Sequence, residues 1–378
     1  MRNILIFIPG YLPGFKSGGP VRTIANQINA LAKEFNFHVV CGDRDLGDSG
    51  PYLGIDHSRW NVQGRAKVFY LNQGRSGLDE IGKILSEPHF QVLYLNSFFS
   101  FRFSIYPLLV VRKRRPALRV IVGPRGEFSA GALAIKARKK KIYLAFAKLL
   151  GLYSGVLWHA STDFEKADIE RVMGRAAKVR VAIDIAKPAN VLLERIPKED
   201  GSLRIVFISR ITPIKNLKTA LLVLNEVKAS VMLDIYGPLE DKCYWDECQA
   251  LIRTLPRNIE TNYKGSLAPQ EVVPTFSQYD VFLFPTHGEN FGHVIAEAFF
   301  SGIPVLVSDQ TPWRDLEKSG VGWDIPLSSL SAFSEKIDRL AAMNAQDYAA
   351  LRNHVQQWAF RTIGGDDAVL ENKSLFMS

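Results

Sequence analysis

The stretch Asp280-Val281-Phe282-Leu283-Phe284-Pro285-Thr286-His287-Gly288-Glu289-Asn290-Phe291-Gly292-His293-Val294-Ile295-Ala296-Glu297-Ala298 decides the class of fold. A short continuous apolar run gives way to a polar loop with two glycines, then to a helix-forming segment. After a turn comes another apolar run, Ser301-Gly302-Ile303-Pro304-Val305-Leu306-Val307. Strand, loop, helix, strand is the unit of a parallel sheet covered on both faces. One carboxylate, Glu289, falls in the loop at the strand's C-terminal end. The second, Glu297, is read about two turns down the following helix, at roughly 1.5 Å per residue. Between them the N–H groups of Asn290, Phe291 and Gly292 fall at the helix start, where orphan donors and the dipole favour an anion.

The same alternation runs the length of the chain. Apolar, β-branched runs are read as strands near Asn3–Pro9, Phe37–Cys41, Lys67–Leu71, Val92–Asn96, Arg119–Gly123, Val156–Ala160 and Val179–Ile183. In the second half they are read near Leu203–Ser209, Val231–Tyr236, Val281–Pro285 and Pro304–Ser308. Helical stretches such as Pro20–Phe35, Leu217–Lys228 and Ser328–Met343 separate them. The expected fold is α/β, two Rossmann-like doubly wound domains facing a cleft, with ligands at the C-terminal ends of the strands. A chain of 378 residues exceeds one comfortable core. The polar stretch from Lys187 to Gly201, with two prolines, marks the boundary. Domains are therefore expected at 1–187 and 188–360, with 361–378 packing back on the first.

Composition narrows the class. Hydrophobic content of 47% describes a globular chain, and three scattered cysteines, Cys41, Cys243 and Cys248, form neither a disulfide framework nor a zinc set. The apolar run at the N-terminus is short and ends in Pro9-Gly10, which suits a buried first strand better than a leader peptide. No stretch of about 18 uninterrupted apolar residues suggests a membrane span. The net charge of +9 is concentrated in residues 101–150, where 13 basic residues meet one acidic residue, Glu127. Residues 112–115 and 136–150 carry this excess, and the second run leads into the apolar Ile142–Leu150. A basic, amphipathic helix of this kind points to an anionic membrane surface; a solvated helix face is the plainer alternative, and nucleic acid is not expected.

Two cations join the acid-flanked helix start. In Ile208-Ser209-Arg210-Ile211-Thr212-Pro213-Ile214-Lys215-Asn216, Arg210 leaves a strand end and Lys215 begins the next helix. A planar fork and a point charge together match a diphosphate, and can neutralise charge building on a departing one. Ordinary surface cations and a helix-surface glutamate are the bland reading. Hydroxyl-binding acids on either side of a phosphate cradle suit a nucleotide sugar. In the first half, Gly18-Gly19-Pro20 starts a helix without the Gly-x-Gly-x-x-Gly fingerprint, so a nicotinamide cofactor is not indicated. Arg125 and Glu127, in Gly123-Pro124-Arg125-Gly126-Glu127, are expected to face the cleft from a strand end. His159 is read as a satisfied structural histidine, and Ser161 or Thr162 as a helix cap. No metal site, Walker loop or serine–histidine–acid signature appears.

Arg210 with Lys215, and Glu289 through Glu297, resemble the motifs of the family 4 glycosyltransferases, the retaining GT-B enzymes with a Glu-x7-Glu element. Weaker likenesses lie in Gly18-Gly19-Pro20, Pro124-Arg125-Gly126 and His159-Ala160-Ser161. The resemblance implies a metal-independent transferase using a nucleoside diphosphate sugar, uridine- or guanosine-linked, as co-substrate and no resident cofactor. It implies that Glu289 contacts the donor sugar and that Asn290, Phe291 and Gly292 lend N–H groups. Glu297 would then hold the ribose, Arg210 and Lys215 the diphosphate, and Lys264-Gly265-Ser266-Leu267 the base. Gly18 and Gly19 would complete the donor site. Where many members carry a catalytic histidine, this chain carries Arg125. The helix near Tyr348–Phe360 is implied to cross back toward the first domain. The expectation is a cytoplasmic, membrane-docked enzyme acting on a glycan or lipid-linked hydroxyl in cell-surface polysaccharide assembly; the alternative is a non-hydrolysing nucleotide-sugar epimerase.

Overall fold

The computed structural model describes residues 1–134, 136–186 and 196–377. The boundary expected at 187/188 lies outside the described residues. The chain divides into two compact units, Met1–Ile185 with the segment from Asp366 onward, and Ala186–Gly365.

The first unit is built on β1 (Arg2–Phe7), β2 (Phe35–Gly42), β3 (Trp60–Gln63), β4 (Ala66–Leu71), β5 (Val92–Leu95), β6 (Arg119–Val122), β7 (Leu157–Ala160) and β8 (Lys178–Val181). These form one sheet in the order β3-β4-β2-β1-β5-β6-β7-β8. The β3–β4 pair is antiparallel and every other pairing is parallel. The reason β1 reads as an unbroken apolar run is visible in its packing. Ile4 and Ile6 enter the core on one face, while Leu5 and Phe7 enter the core on the other. The second unit holds β9 (Ser202–Ile208), β10 (Ser230–Tyr236), β11 (Ile259–Gly265), β12 (Val281–Phe284), β13 (Val305–Ser308) and β14 (Gly322–Ile325). Its six-stranded sheet, order β11-β10-β9-β12-β13-β14, is parallel throughout.

Both sheets are doubly wound, as the alternation predicts. Three strands escaped the sequence reading: β3, β11 and β14. All three are edge strands. Half exposed, β11 (Ile-Glu-Thr-Asn-Tyr-Lys-Gly) carries polar residues where a central strand carries valine and isoleucine.

The helix Ala345–Thr362, implied to cross between domains, lies wholly within the second unit, where it packs against the helix His293–Phe300. The passage to the first unit comes after it, and the next helix, Asp367–Met377, buries Leu375 and Phe376 against the sheet of the first unit. Three arginines of that sheet, Arg2, Arg119 and Arg180, donate to the carbonyls of Phe376, Leu375 and Ser374 at 2.6–2.7 Å. They satisfy carbonyls that the end of a helix leaves without partners.

Candidate active site

In a doubly wound sheet the strand order reverses at one point, and the loops leaving the strands there diverge to leave a crevice. In the second unit that point lies between β9 and β12. The loop after β9 carries Arg210 and Lys215, and the loop after β12 carries Glu289. The Lys215 ammonium and the Glu289 carboxylate form an ion pair across it, both side chains less than one-fifth exposed. Lys215 also lies 5.7 Å from the centre of the Phe284 ring, at the end of β12.

Buried polar side chains fix these loops. Asn216, in the left-handed region at φ 59°, accepts from the Thr219 hydroxyl of its own helix at 2.9 Å and donates its amide N–H to the Pro285 carbonyl at 2.7 Å. Thr286, fully buried, donates its hydroxyl to the Ile214 carbonyl at 2.9 Å, and the His287 N–H donates to the same oxygen at 2.8 Å. The Ser308 hydroxyl at the end of β13 donates to the Thr286 carbonyl, and the Glu289 N–H donates to Gln310 at 3.3 Å. Three successive strand ends are thereby tied together, so Lys215 and Glu289 are held from both sides. None of Asn216, Thr286 and Ser308 stood out in the sequence. Thr286 and Ser308 carry one signal, a small polar residue at or just after the end of an apolar run, and Asn216 carries none.

The helix carrying Glu297 starts later than its sequence suggests. It runs His293–Phe300 behind Gly292, whose φ of 81° places it in the left-handed region. A Cβ there would come within 2.9 Å of the Ile295 side chain, so both conformation and space call for glycine. Glu297 is therefore one turn into the helix, not two, and half-buried. The four residues Glu289–Gly292 form the loop ahead of the helix start, whose N–H groups point back along the axis toward it. Trp313 closes its far side: its indole donates to the Phe291 carbonyl at 2.6 Å and its ring lies 5.3 Å from that of Phe291.

Arg210 takes a different partner. Its guanidinium donates to Glu240 at 2.7 Å, and both side chains are about one-third exposed or more. Glu240 belongs to the loop after β10, and no sequence signal marked it. The loops after β9 and β10 run close together: the Ile211 N–H donates to Pro238 at 2.9 Å, and a Cβ on Gly237 would overlap the Ser209 carbonyl at 1.7 Å. Ser266 is exposed and Leu267 packs partly into the core, on the loop leaving β11. Every expected donor-binding residue of the second half thus lies at the C-terminal side of this sheet. Lys215 and Glu289 touch, whereas Arg210 is held by Glu240.

In the first unit the strand order reverses between β1 and β5. Gly18 and Gly19 follow β1 there. Gly18 precedes the helix Gly19–Leu31 at φ 71°, and a Cβ on it would meet nothing within 4 Å. Arg125 requires a correction. Its side chain is 5% exposed, turned into the unit by a backbone φ of 55°. All five N–H donors are engaged: Nε and one terminal nitrogen with Asn96 at 3.0 and 2.9 Å, that same nitrogen with the Tyr94 hydroxyl, and the other with Ser161 at 2.9 Å and Asp184 at 3.0 Å. It is a buried hub and has no donor left for a ligand. Glu127 is likewise inside, accepting from the N–H groups of Phe98 and Phe99 at 2.6 and 2.9 Å. Burial raises its pKa, against those two bonds.

His159 is the structural histidine that the sequence suggested. Its Nε2 donates to the Ala182 carbonyl at 2.9 Å, so Nδ1 accepts from the Tyr94 hydroxyl. Burial, then the charge of Arg125, lowers its pKa to about 3. Thr162 caps the helix Asp163–Met173, accepting from Glu165 N–H at 3.1 Å. Among the described residues, no three His, Cys, Asp or Glu side chains converge as a metal site.

Residues 191–358, most of the second unit, match the family described as Glycosyl transferases group 1. The capsular polysaccharide biosynthesis glycosyltransferase CapM of Staphylococcus aureus is 30% identical over 112 residues, 29% of this chain and 28% of that protein. The GtfA subunit of a UDP-N-acetylglucosamine–peptide N-acetylglucosaminyltransferase from Streptococcus agalactiae is 26% identical over 163 residues, 40% of this chain and 30% of that protein. The matches thus span under a third of these relatives. Among solved structures, sucrose-phosphate synthase from Thermosynechococcus elongatus superposes with a TM-score of 0.76 at 14% identity, covering 100% of this chain and 98% of that one. Anabaena Alr3699/HepE, in complex with UDP and glucose, gives 0.72 at 15%, covering 99% and 98%. These likenesses show the fold, which is GT-B.

Proposed function

We propose that the chain is a retaining, metal-independent glycosyltransferase of family 4, moving a hexose from a uridine or guanosine diphosphate sugar to a hydroxyl group. The observation that carries this reading is the Lys215–Glu289 pair at the switch point of the second unit, beside a helix start. An ammonium has three donors, so Lys215 can keep Glu289 and still bind phosphate oxygens. Glu289, held by Lys215 and by its loop, offers its remaining lone pairs to the hydroxyls of the donor sugar. The N–H groups of Asn290, Phe291 and Gly292 face the phosphate, and Glu297 takes the ribose hydroxyls one turn further on. Arg210 and Lys215 then neutralise the diphosphate as it departs, the charge-stabilising part of the reaction. The loop Lys264–Leu267 is assigned to the base.

Support comes from the transferase group matched by residues 191–358, and from the Anabaena neighbour, whose structures hold UDP and glucose or UDP-glucose. CapM, named for capsular polysaccharide biosynthesis, points the acceptor toward a surface polysaccharide or its lipid-linked precursor, reached from the cytoplasmic face of a membrane. The test is a panel of nucleotide sugars screened by thermal shift, followed by transfer assays with the donor that binds. Lys215→Ala and Glu289→Ala are each expected to lower turnover by about 10²–10³-fold while remaining folded. Undiminished transfer by either variant overturns the assignment. Conversion of the donor without any acceptor would instead reveal an epimerase.

A further inference from the structure

The helix Ala137–Leu149 has two faces of opposite purpose. Its inner face is spent on the fold. Ala147 is buried, Tyr143 and Leu144 pack on the core, and Lys140 donates to the Ala132 carbonyl at 2.6 Å with its ammonium 4.8 Å from the Phe99 ring centre. Its outer face is not polar. Ile142, Phe146 and Leu149, spaced as a single stripe at the helical period, are 58%, 59% and 82% exposed, and Leu150 after them is 74% exposed. Arg138, Lys139, Lys141 and Lys148 are exposed on the same helix, flanking the stripe. No acidic residue occurs between Glu127 and Asp163, and Glu127 is buried.

We propose that this face docks on an anionic phospholipid surface, the helix lying flat with Ile142, Phe146, Leu149 and Leu150 among the acyl chains. The lysines would sit at the level of the headgroups. An apolar ridge between rows of cations has the two attractions such a surface supplies, hydrophobic insertion and charge. A second copy of the chain fits the ridge but not its borders, since a two-fold contact sets the same lysines against one another. The arginines of the other basic cluster are engaged within their own unit. Arg112, Arg114 and Arg115 donate to main-chain carbonyls at Leu152, Gly82, Glu87 and Phe90, pinning loops of their own unit. The dock is thereby narrowed to residues 136–150. It names the membrane partner of the proposed transferase, yet vesicle binding is read without any sugar transfer, so the two readings fail separately.

The full chain is sedimented with vesicles of phosphatidylcholine containing about one-third phosphatidylglycerol, and with vesicles of phosphatidylcholine only. Binding to the anionic vesicles only, weakened by salt, is expected. The pairs Phe146→Ser with Leu149→Ser, and Lys139→Glu with Lys141→Glu, should each lower it by about tenfold or more. These side chains point outward, so melting temperatures should stay at the parent value. Phe146→Trp gives a second readout: on anionic vesicles its emission should shift to the blue beyond that of the parent's six tryptophans, at an unchanged melting temperature. Binding that both pairs leave intact, equal binding to neutral vesicles, or an emission of the introduced indole indifferent to lipid overturns the proposal. A dimer that the Phe146 and Leu149 changes split into monomers assigns the face to a second copy and also overturns it.

Discussion

Lys215 and Glu289 gain from each other what neither would have separately, because both are largely removed from water. Taking away one partner leaves the other charge partly buried and uncompensated, which costs more than the loss of an exposed pair. Lys215→Ala should therefore lower the melting temperature slightly, and Glu289→Gln, which keeps shape and hydrogen bonding, should lower it less. The Arg210–Glu240 pair is a contrasting case. It is more exposed and contributes little to stability, but it holds the fork on a carboxylate that competes with any phosphate. Glu240→Gln is expected to tighten binding of a nucleoside diphosphate by about two- to fivefold in titration calorimetry. Weaker binding would show that Glu240 aims Arg210 rather than restrains it. Arg125 shows what a sequence withholds. The chain reveals that this arginine follows a strand; it does not reveal that a positive φ turns the side chain inward, onto Tyr94, Asn96, Ser161 and Asp184. Arg125→Lys removes the planar fork and two of five donors, so it should destabilise the first unit by about 2–4 kcal/mol, read by chemical denaturation.

Among the elements, every central strand was legible, and the three strands that escaped, β3, β11 and β14, are edge strands, although the edge strand β8 was legible too. A strand buried on both faces must be apolar where it is buried, as β12 is throughout and β1 is from Ile4 to Phe7. An edge strand is free to carry polar residues, as β11 carries Glu, Asn and Lys and β14 carries Asp. The helix carrying Glu297 starts later than the sequence suggests because the sequence does not show that Gly292 adopts a left-handed φ of 81°. Elements also meet at His159, which bridges the Tyr94 hydroxyl on β5 and the Ala182 carbonyl beyond β8. Its pKa falls from an ordinary 6.5 to about 3. Between those values the unfolded chain binds a proton that the folded chain refuses, so stability falls as pH drops through that window. One such group contributes a slope of about 1.4 kcal/mol per pH unit. Glu127 and Glu165, both raised by burial, act in the opposite sense above the ordinary carboxylate range. Comparing His159→Gln with the parent removes their effect, and its stability should fall less steeply from pH 6 toward 4. Parallel curves would reject that role for the histidine.

At the scale of the molecule, the helix Asp367–Met377 belongs to the unit formed by the other end of the chain. Phe376 meets Phe35, Phe37 and Tyr94 at ring separations of 5.5–5.8 Å, and Asn372 accepts from the buried Gln27 at 2.7 Å. Burying Leu375 and Phe376 is worth roughly 3–6 kcal/mol together. Ending the chain at Gly365 should therefore lower one calorimetric transition, that of the first unit, and leave the second where it was. A uniform loss of both would mean that the helix supports the two units equally. During synthesis the same arrangement imposes an order of events. The eight-stranded sheet is made before the other unit, with the helix Gly19–Leu31 but not the helix Asp367–Met377 on its Phe35–Phe37 face, and all of the other unit is made before that second helix arrives. The rear unit can finish folding as it emerges, whereas the front one has to wait, its aromatic flank open to chaperones until the last turn is delivered.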